Sequence, residues 1–271
     1  MSKSLVEKHF GAAAAAYVTS PVHAKGASLQ RLVDLSVPRP DWLVLDVATA
    51  AGHTALAFAP HVAHVTATDL TPQMLAEATK LAAERGVKNV EFQKADAEAL
   101  PFPDASFDVV SCRIAAHHFP NVPGFVAEAA RVLKPGGTFA LVDNVSPDRE
   151  TTPGFSDAAL AEAAATYNTF ERLRDPSHGR CLTNAEWIEV LCAQGLEVTH
   201  TEHLPKEMEF ASWAGRMSVG AATVATLEQM LTNAQPALAA FLKPRSEDGK
   251  LWFTLDEILV IARKPAAKVP A

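Results

Sequence analysis

The stretch WLVLDVATAAGH at residues 42–53 decides the fold. Its first half is a continuous apolar run without the alternation of a half-exposed strand, and such a run is typical of a strand covered on both faces. Asp46 interrupts the run near its end, and a turn of small residues that contains Gly52 follows. The stretch therefore predicts a buried strand that turns tightly into a helix, as at the start of a βαβ unit.

Outward from this stretch, strand and helix patterns alternate. Further strands are predicted at HVTATD, NVEFQKA, FDVVSCR and TFALVDN, and helices at TPQMLAEATKLAAERG and VPGFVAEAARVLKPGG, the second of which ends in a turn. After residue 145 the pattern loosens to an Ala-rich helix, a strand at LEVTHTEHL and a late strand at WFTLDEILVIARK. The alternation predicts an α/β fold with a doubly wound, mostly parallel, Rossmann-like sheet.

Changes of pattern along the chain suggest six segments. They are an N-terminal helical cap at 1–40, whose second helix spans about Val22 to Leu35, a cofactor-binding core at 41–145, a lid insertion at 146–182, a core helix and strand at 183–205, a second helical insertion at 206–250, and a final strand with a tail at 251–271. We place both insertions at the ligand-binding edge of the sheet.

Composition excludes several function classes. There are 24 Lys and Arg against 31 Asp and Glu, a net charge of −7, which argues against binding to nucleic acid or an anionic membrane. The three cysteines follow no CxxC spacing and are expected to be free thiols. No apolar run approaches the ~20 residues of a membrane helix, and no secretion signal is visible. We therefore expect a cytoplasmic protein that acts on a small molecule.

The residues that follow each strand are the candidate ligand contacts, since ligands of open α/β sheets bind outside the carboxyl ends of the strands. Asp69 follows the second strand and is suitably placed to accept hydrogen bonds from ribose hydroxyls. Asp96 follows the third strand, and Arg113 ends the fourth.

The segments VLDVATAAGHTA, VTATDLTPQML, ADAEALPFPDASFDVV and EAARVLKPGG, together with HHF after the fourth strand, resemble class I S-adenosylmethionine-dependent methyltransferases. The resemblance covers roughly residues 42–145 and is nearest to the small-molecule enzymes of the ubiquinone/menaquinone C-methyltransferase kind. It implies transfer of a methyl group from S-adenosylmethionine to a small apolar or aromatic molecule by in-line displacement.

The resemblance also implies a set of cofactor-binding residues. They are Ala48, Ala50 and Gly52 in the turn that faces the methionine and ribose portion, Asp69 on the ribose diol, Leu70 and Met74 beside the adenine, Asp96 and the backbone N–H of Ala97 on the adenine, Arg113 near the sulfonium through its backbone, and Tyr17 and His23 closing over the site.

The turn after the first strand departs from the family pattern, which usually has glycine at two or three of positions 48, 50 and 52. Glycine suits close backbone approach and positive φ, whereas an alanine in the left-handed region costs about 1–2 kcal/mol. Three interpretations stay open. The alanines are tolerated, the pocket takes another one-carbon carrier such as a folate, or the protein is a non-catalytic ligand-binding member. The second interpretation includes demethylation and dehalogenation.

A nicotinamide-binding domain is a poorer match for this turn. The G-x-G-x-x-G fingerprint would place its glycines at Ala48, Ala50 and His53, and none of these is glycine. Histidine also cannot replace the third glycine, which permits close packing between helix and strand.

Candidate catalytic residues follow the fourth and fifth strands. We favour His118 as a general base or orienting group, and Asn144 as a substrate contact, with loop packing as the alternative for each. We predict no metal site, because the HxxH pair His61 and His64 lacks a third ligand.

Candidate substrate-binding residues come mostly from the insertions. The set consists of His117, Tyr167, Arg172, Arg174, His178 and Trp213. A substrate lid, a homodimer contact and a solvated helix face all fit the polar members, whereas Trp213 is equally well explained as core.

Overall fold

The computed structural model describes residues 3–5, 7, 11, 26–217 and 219–266. The chain divides into two compact units. Unit 1 consists of Met1–Asp143, Ile188–Glu202 and Leu259–Ala271, and unit 2 of Asn144–Trp187 and His203–Ile258.

Unit 1 carries the alternating strands and helices that the sequence predicts. In chain order its elements are α1 (Ala27–Ser36), β1 (Leu43–Val47), α2 (His53–Phe58), β2 (His64–Asp69), α3 (Pro72–Glu84), β3 (Val90–Lys94), β4 (Phe107–Arg113), α4 (Val122–Val132) and β5 (Leu133–Asn144). Short 3₁₀ turns follow α2 at Ala59–His61 and β4 at Ala116–His118. Later in the chain come α6 (Asn184–Ala193), β6 (Glu197–Glu209) and β8 (Lys250–Arg263), which contribute to both units.

The sheet has the strand order β3-β2-β1-β4-β5-β8-β6, and the short strand β7 (Arg245–Glu247) pairs antiparallel with β8. Strands β1 to β5 are parallel neighbours. The order reverses between β1 and β4, and this switch point is where doubly wound sheets bind ligands. The predicted α/β fold with a mostly parallel, Rossmann-like sheet is confirmed.

Helix α3 shows how the sequence produces these layers. Pro72 stands in its first turn, where the missing N–H costs nothing, and Gly86 follows its end with φ of +67°. The helix buries Met74, Ala78 and Leu81, which lie one turn apart. Leu81 belongs to a hydrophobic cluster that packs against Phe92 of β3.

Two predicted boundaries differ from the structure. The predicted turn at KPGG belongs to β5, which begins at Leu133, because Leu133 already pairs with Phe107 of β4. Strand β6 continues to Glu209, although the helical insertion was expected to begin at residue 206, because the long neighbouring strand β8 pairs with it. Helix α1 begins at Ala27, after the non-helical Gly26, and the predicted start near Val22 lies outside the described residues.

Unit 2 is built mainly from α5 (Asp157–Arg174), α7 (Phe210–Gly215), α8 (Ala221–Thr232) and α9 (Pro236–Leu242). These helices come from both predicted insertions, and they share one hydrophobic core. Trp213 stacks on Phe170 with ring centroids 4.7 Å apart, and Tyr167 packs edge-on against Phe241. Aromatic packing therefore joins the two insertions into one unit.

Among the residues described, no helix is both long enough and apolar enough to span a bilayer. The same part of the chain contains no group of three or more side chains that could hold a metal ion.

Candidate cofactor and catalytic site

The turn after β1 has a left-handed backbone at alternate positions. The φ angles are +54° at Ala48, +47° at Ala50 and +82° at Gly52. Two backbone hydrogen bonds support this shape, from the N–H of Thr49 to the carbonyl of Thr68 and from the N–H of Gly52 to the carbonyl of Thr49, each 2.8 Å long. The turn thus keeps a conformation that favours glycine, although two of the three residues carry a methyl group.

Gly52 is required for packing as well as for its φ angle. A Cβ at this position would lie 3.0 Å from the Cβ of Ala78 in α3 and 3.2 Å from Cε1 of Phe92 in β3. Both distances are shorter than ordinary carbon contacts. Of the three left-handed positions 48, 50 and 52, position 52 is thus the one where a side chain would be crowded, and it is the one that has glycine.

Asp69 joins the ends of β1 and β2. Its Oδ2 accepts the N–H of Ala50 at 2.9 Å, and its Oδ1 accepts the N–H of Thr71 at 2.8 Å. Burial raises the pKa of this carboxyl, while these N–H donors oppose the increase. The hydroxyl of Thr71 and the N–H of Leu70 also act on this carboxyl, so a vicinal diol that binds here would share its oxygens with donors of the same turn.

Asp46 lies beneath the same turn. Its two oxygens accept the hydroxyl groups of Thr49, at 2.5 Å, and Ser111, at 2.7 Å. Complete burial raises its pKa to about 6, although these hydroxyls and the nearby Arg113 guanidinium act in the opposite direction. The side chain of Arg113 is itself buried and donates to Thr54 Oγ1 at 3.1 Å.

Several carboxylates surround the carboxyl end of β4. Cys112 in this strand has a pKa well above its ordinary value, first because it is buried and then because of the charges on Asp143, Asp46 and Asp69. The thiol therefore stays protonated at neutral pH, which makes it a poor nucleophile. The buried Arg113 guanidinium lies near the same carboxylates, so charges of both signs meet at this strand end.

Asp96 lies two residues after the end of β3, and each oxygen of its carboxylate already accepts a hydrogen bond. Its Oδ2 accepts Lys3 Nζ at 2.6 Å, and its Oδ1 accepts the N–H of Glu98 at 3.0 Å. Burial acts to raise its pKa, but the Lys3 ammonium and this N–H hold the pKa below its usual value. Ala97, which follows Asp96, and Leu70, which follows Asp69, are half-buried. Met74 is almost fully buried in α3.

Tyr17 and His23, which the resemblance assigns to closure over the cofactor, lie outside the described residues.

His117 and His118 occupy the 3₁₀ turn after β4, and both are buried. The Nδ1 atom of His117 lies 2.5 Å from Oδ1 of Asp143, a residue of β5, and the ring of His118 packs on that of His117 with centroids 4.2 Å apart. The turn is entered through Ile114, whose φ of +55° is costly for a β-branched residue. Sequence reasoning missed both Asp143 and Ile114.

Asn144 begins unit 2. Its Oδ1 accepts Lys206 Nζ at 3.2 Å, and the same ammonium binds Oε1 of the buried Glu257 at 2.6 Å. Lys206 was not among the predicted site residues, because its partners come from distant parts of the sequence. The predicted catalytic role of Asn144 stays a prediction. Its amide oxygen is hydrogen-bonded to the Lys206 ammonium, which itself forms an ion pair with Glu257.

The predicted substrate-binding residues of unit 2 divide into buried and exposed groups. Tyr167, His178 and Trp213 are buried, and His178 Nε2 lies 2.9 Å from Asn168 Oδ1. Arg174 lies at the end of α5, with its guanidinium over Trp213 at 4.5 Å from the ring centroid and 3.2 Å from Glu171. Arg172 is exposed and donates to the carbonyl of Gly179. Their assignment to a substrate lid stays a prediction.

Comparison with known proteins places this geometry in a family. A family model described as a methyltransferase domain matches residues 45–141. The uncharacterized methyltransferase YcgJ of Bacillus subtilis (strain 168) is 40% identical over 210 residues, which cover 78% of this chain and 79% of YcgJ. The ubiquinone/menaquinone biosynthesis C-methyltransferase UbiE of Brucella anthropi is 32% identical over 179 residues, 64% of this chain and 62% of UbiE.

Comparison with solved structures leads to the same family. The protein BH2331 from Bacillus halodurans C-125 superposes with a TM-score of 0.81 at 38% identity, covering 89% of this chain and all of that one. Fold and site thus define an enzyme of the class I S-adenosylmethionine-dependent methyltransferases. The chain belongs to the methyltransferase family that includes YcgJ.

Proposed function

We propose that this protein binds S-adenosylmethionine at the carboxyl ends of β1 to β4 and transfers its methyl group to a small apolar or aromatic molecule. One observation carries the proposal. The turn at 48–52 keeps its left-handed backbone despite two alanines, and it donates the N–H of Ala50 to Asp69. Retention of so costly a shape supports selection for a ligand that needs it.

The residues present fit this cofactor. Asp69 ends β2 at the switch point, and its backbone partners fix the direction of the carboxylate that would face the ribose hydroxyls. Bound S-adenosylmethionine would supply an electrophilic methyl group for in-line displacement. The protein would orient the acceptor and exclude water.

The acceptor class rests on charge and on the composition of unit 2. The net charge of −7 disfavours a polyanionic acceptor. Unit 2 is rich in aromatic side chains and carries Arg172 and Arg174 at the end of α5, where they could bind a polar substituent.

The methyl groups of Ala48 and Ala50 favour a second candidate function. If they occupy the space that the methionine portion needs, the site would take another one-carbon carrier, such as a folate, on the same scaffold. The two functions differ in the ligand that binds, so a binding measurement separates them.

Isothermal titration calorimetry with S-adenosylmethionine, S-adenosylhomocysteine and a panel of folates tests both candidates. We expect saturable binding of the first two, and we expect Asp69→Ala to weaken it about tenfold or more, because a buried bidentate acceptor is lost. Asp104→Ala is the matched control, since Asp104 is exposed and precedes the amino end of β4. Binding of a folate alone would support the second function, and equal affinity of Asp69→Ala and wild type would remove Asp69 from the site.

A further inference from the structure

His203 connects the loop after β5 to the neighbouring strands of unit 2. It lies in β6, with its Nδ1 atom 3.2 Å from Oδ2 of Asp256 in β8 and its Nε2 atom 3.5 Å from Oε1 of Glu150 in the loop. Both nitrogens are shielded from solvent, and in the described part of the chain they have no hydrogen-bond partner besides these ion-pair contacts. The imidazole therefore lies between two carboxylates that belong to separate segments.

The loop between β5 and α5 contains a compact turn at residues 148–152. Asp148 Oδ1 accepts the N–H groups of Glu150, at 3.0 Å, and Thr151, at 2.9 Å. The turn also contacts the start of α6, where the N–H of Asn184 donates to Asp148 Oδ2 at 2.9 Å and the Asn184 side-chain amide donates to Glu150. The turn is therefore bonded within itself and to α6, whereas its link to β6 is the ion pair described above.

Three acidic groups act on His203. The interaction with Asp256 raises the pKa of His203 most, burial opposes this increase, and the charges on Glu150 and Asp148 raise the pKa further. Glu202, which precedes His203 in β6, has ion-pair partners of its own. A proton on His203 therefore supplies the positive charge that balances part of this acidic group.

The placement of the two carboxylates fits the doubly protonated ring. A neutral imidazole has one N–H donor, so one of its nitrogens would direct a lone pair at a carboxylate. The imidazolium donates from both nitrogens and can bind Asp256 and Glu150 at the same time. This argument rests on the positions of the atoms, and the direction of the pKa shift agrees with it.

We propose that His203 is a pH-sensitive clamp on the 148–152 turn. The protonated ring holds the turn beside Asp256, and the neutral ring releases it, because Asp148, Glu150 and Asp256 then repel one another without a cation between them. The clamp acts at the start of segment 146–182, for which the sequence predicts a substrate lid. It gives pH a means to control the mobility of this segment.

The direction of the pH dependence follows from linkage between protonation and clamping. The acidic partners raise the pKa of His203 in the clamped state. Clamping is therefore complete below the pKa of an ordinary histidine, about 6.5, and is lost as the pH rises through the higher pKa of the clamped state. Each unit of difference between these two pKa values changes the clamping equilibrium about tenfold.

Nuclear magnetic resonance titration of the full chain, with ¹⁵N-labelled histidine, tests the charge on the ring. We expect the midpoint of His203 to lie above about 6.5, and to fall by about one pH unit in Asp256→Asn, because an adjacent negative charge is lost. His200 lies on the same strand and pairs with Glu202, so its titration should be the same in both proteins. A His203 midpoint at or below the ordinary value, or one that Asp256→Asn does not move, would overturn the proposal.

Hydrogen exchange of the amides of Glu150 and Thr151 measures release of the turn, because both N–H groups are bonded within it. Between about pH 6 and about pH 9 the carboxylates stay ionised, and we expect the wild-type protection factors to fall about tenfold. His203→Gln, which cannot carry a charge, should show the lower protection at both pH values. His203→Arg, which keeps its charge, should show the higher protection at both.

His200→Gln is the matched control, and its protection factors should follow those of the wild type. Wild-type protection that does not change with pH, or equal protection in His203→Gln and His203→Arg, would refute the clamp. Thermal unfolding shows whether each variant is folded. The titration of His203 and the exchange profile of the wild type decide the matter even if a variant is unstable.

The clamp and the proposed function fail separately, because both experiments are made without cofactor or acceptor. Absence of S-adenosylmethionine binding would remove the proposed function and leave the titration of His203 as it is. An ordinary midpoint for His203 together with normal cofactor binding would remove only the clamp.

Discussion

Replacement of Ala50 by glycine should stabilise the protein, because it removes strain from the turn after β1. With φ of +47°, Ala50 stands in the left-handed region, which costs an L-residue about 1–2 kcal/mol. Glycine removes this cost but gains conformational freedom in the unfolded chain worth about 0.4–1 kcal/mol. The net expectation is a gain of about 0.5–1 kcal/mol in the free energy of unfolding, or roughly 2 °C in Tm for a chain of this size.

Urea unfolding and differential scanning calorimetry measure this gain, and two other alanines calibrate it. Ala105 has φ of +53° in an exposed turn before β4, so Ala105→Gly should give a similar gain without any effect on ligand binding. Ala63 is exposed in a loop, has no positive φ and should lose about 0.4–1 kcal/mol on replacement by glycine. If Ala50→Gly lowers the free energy of unfolding as much as Ala63→Gly does, the argument from strain is wrong. S-adenosylmethionine should also bind more tightly to Ala50→Gly, by calorimetry, if the alanine methyl hinders it.

Two further predictions concern the interior of unit 1. Asp46 has a pKa of about 6, above its unfolded value. The free energy of unfolding of the wild type, relative to Asp46→Asn, should therefore decrease by up to about 3 kcal/mol as the pH rises from about 4 to about 6. Urea unfolding of both proteins at pH 4.5 and 7.5 checks this, and an equal response of the two to pH would contradict it. Gly52→Ala should cost about 2–4 kcal/mol from its φ and from overpacking. Gly86→Ala has positive φ but open space, so chemical denaturation should show a cost of only about 1–2 kcal/mol; equal losses would disprove the packing argument.

Much of unit 1 could be predicted from the sequence, because parallel strands covered on both faces leave a strong apolar signal. The runs that end at Val47 and Asp69 become β1 and β2, and the residues after them lie at the switch point. The expectation that positions 48 and 50 need a glycine-like backbone also agrees with their φ angles. These features are local, so short segments of sequence contain them.

Features that depend on pairing between distant segments could not be predicted. The bond between His117 and Asp143 requires the register of β4 against β5, which places Arg113 beside Val142. The early start of β5 at Leu133 depends on the pairing of this residue with Phe107 of β4. The ion pair of Lys206 with Glu257 depends on the pairing of β6 with β8. No periodicity within a single segment contains this information.

The hydrogen bonds of Asp69 have a consequence for how the protein can change over time. The same carboxylate receives N–H groups from the bend after the first strand and from the residue that precedes α3. A substitution that rotates either segment would therefore displace the acceptor atoms offered to a ligand. Neutral drift in this region should be confined to side chains that leave both amides in place, as the two alanines do, and a proline at position 50 should be selected against because it removes one of these donors.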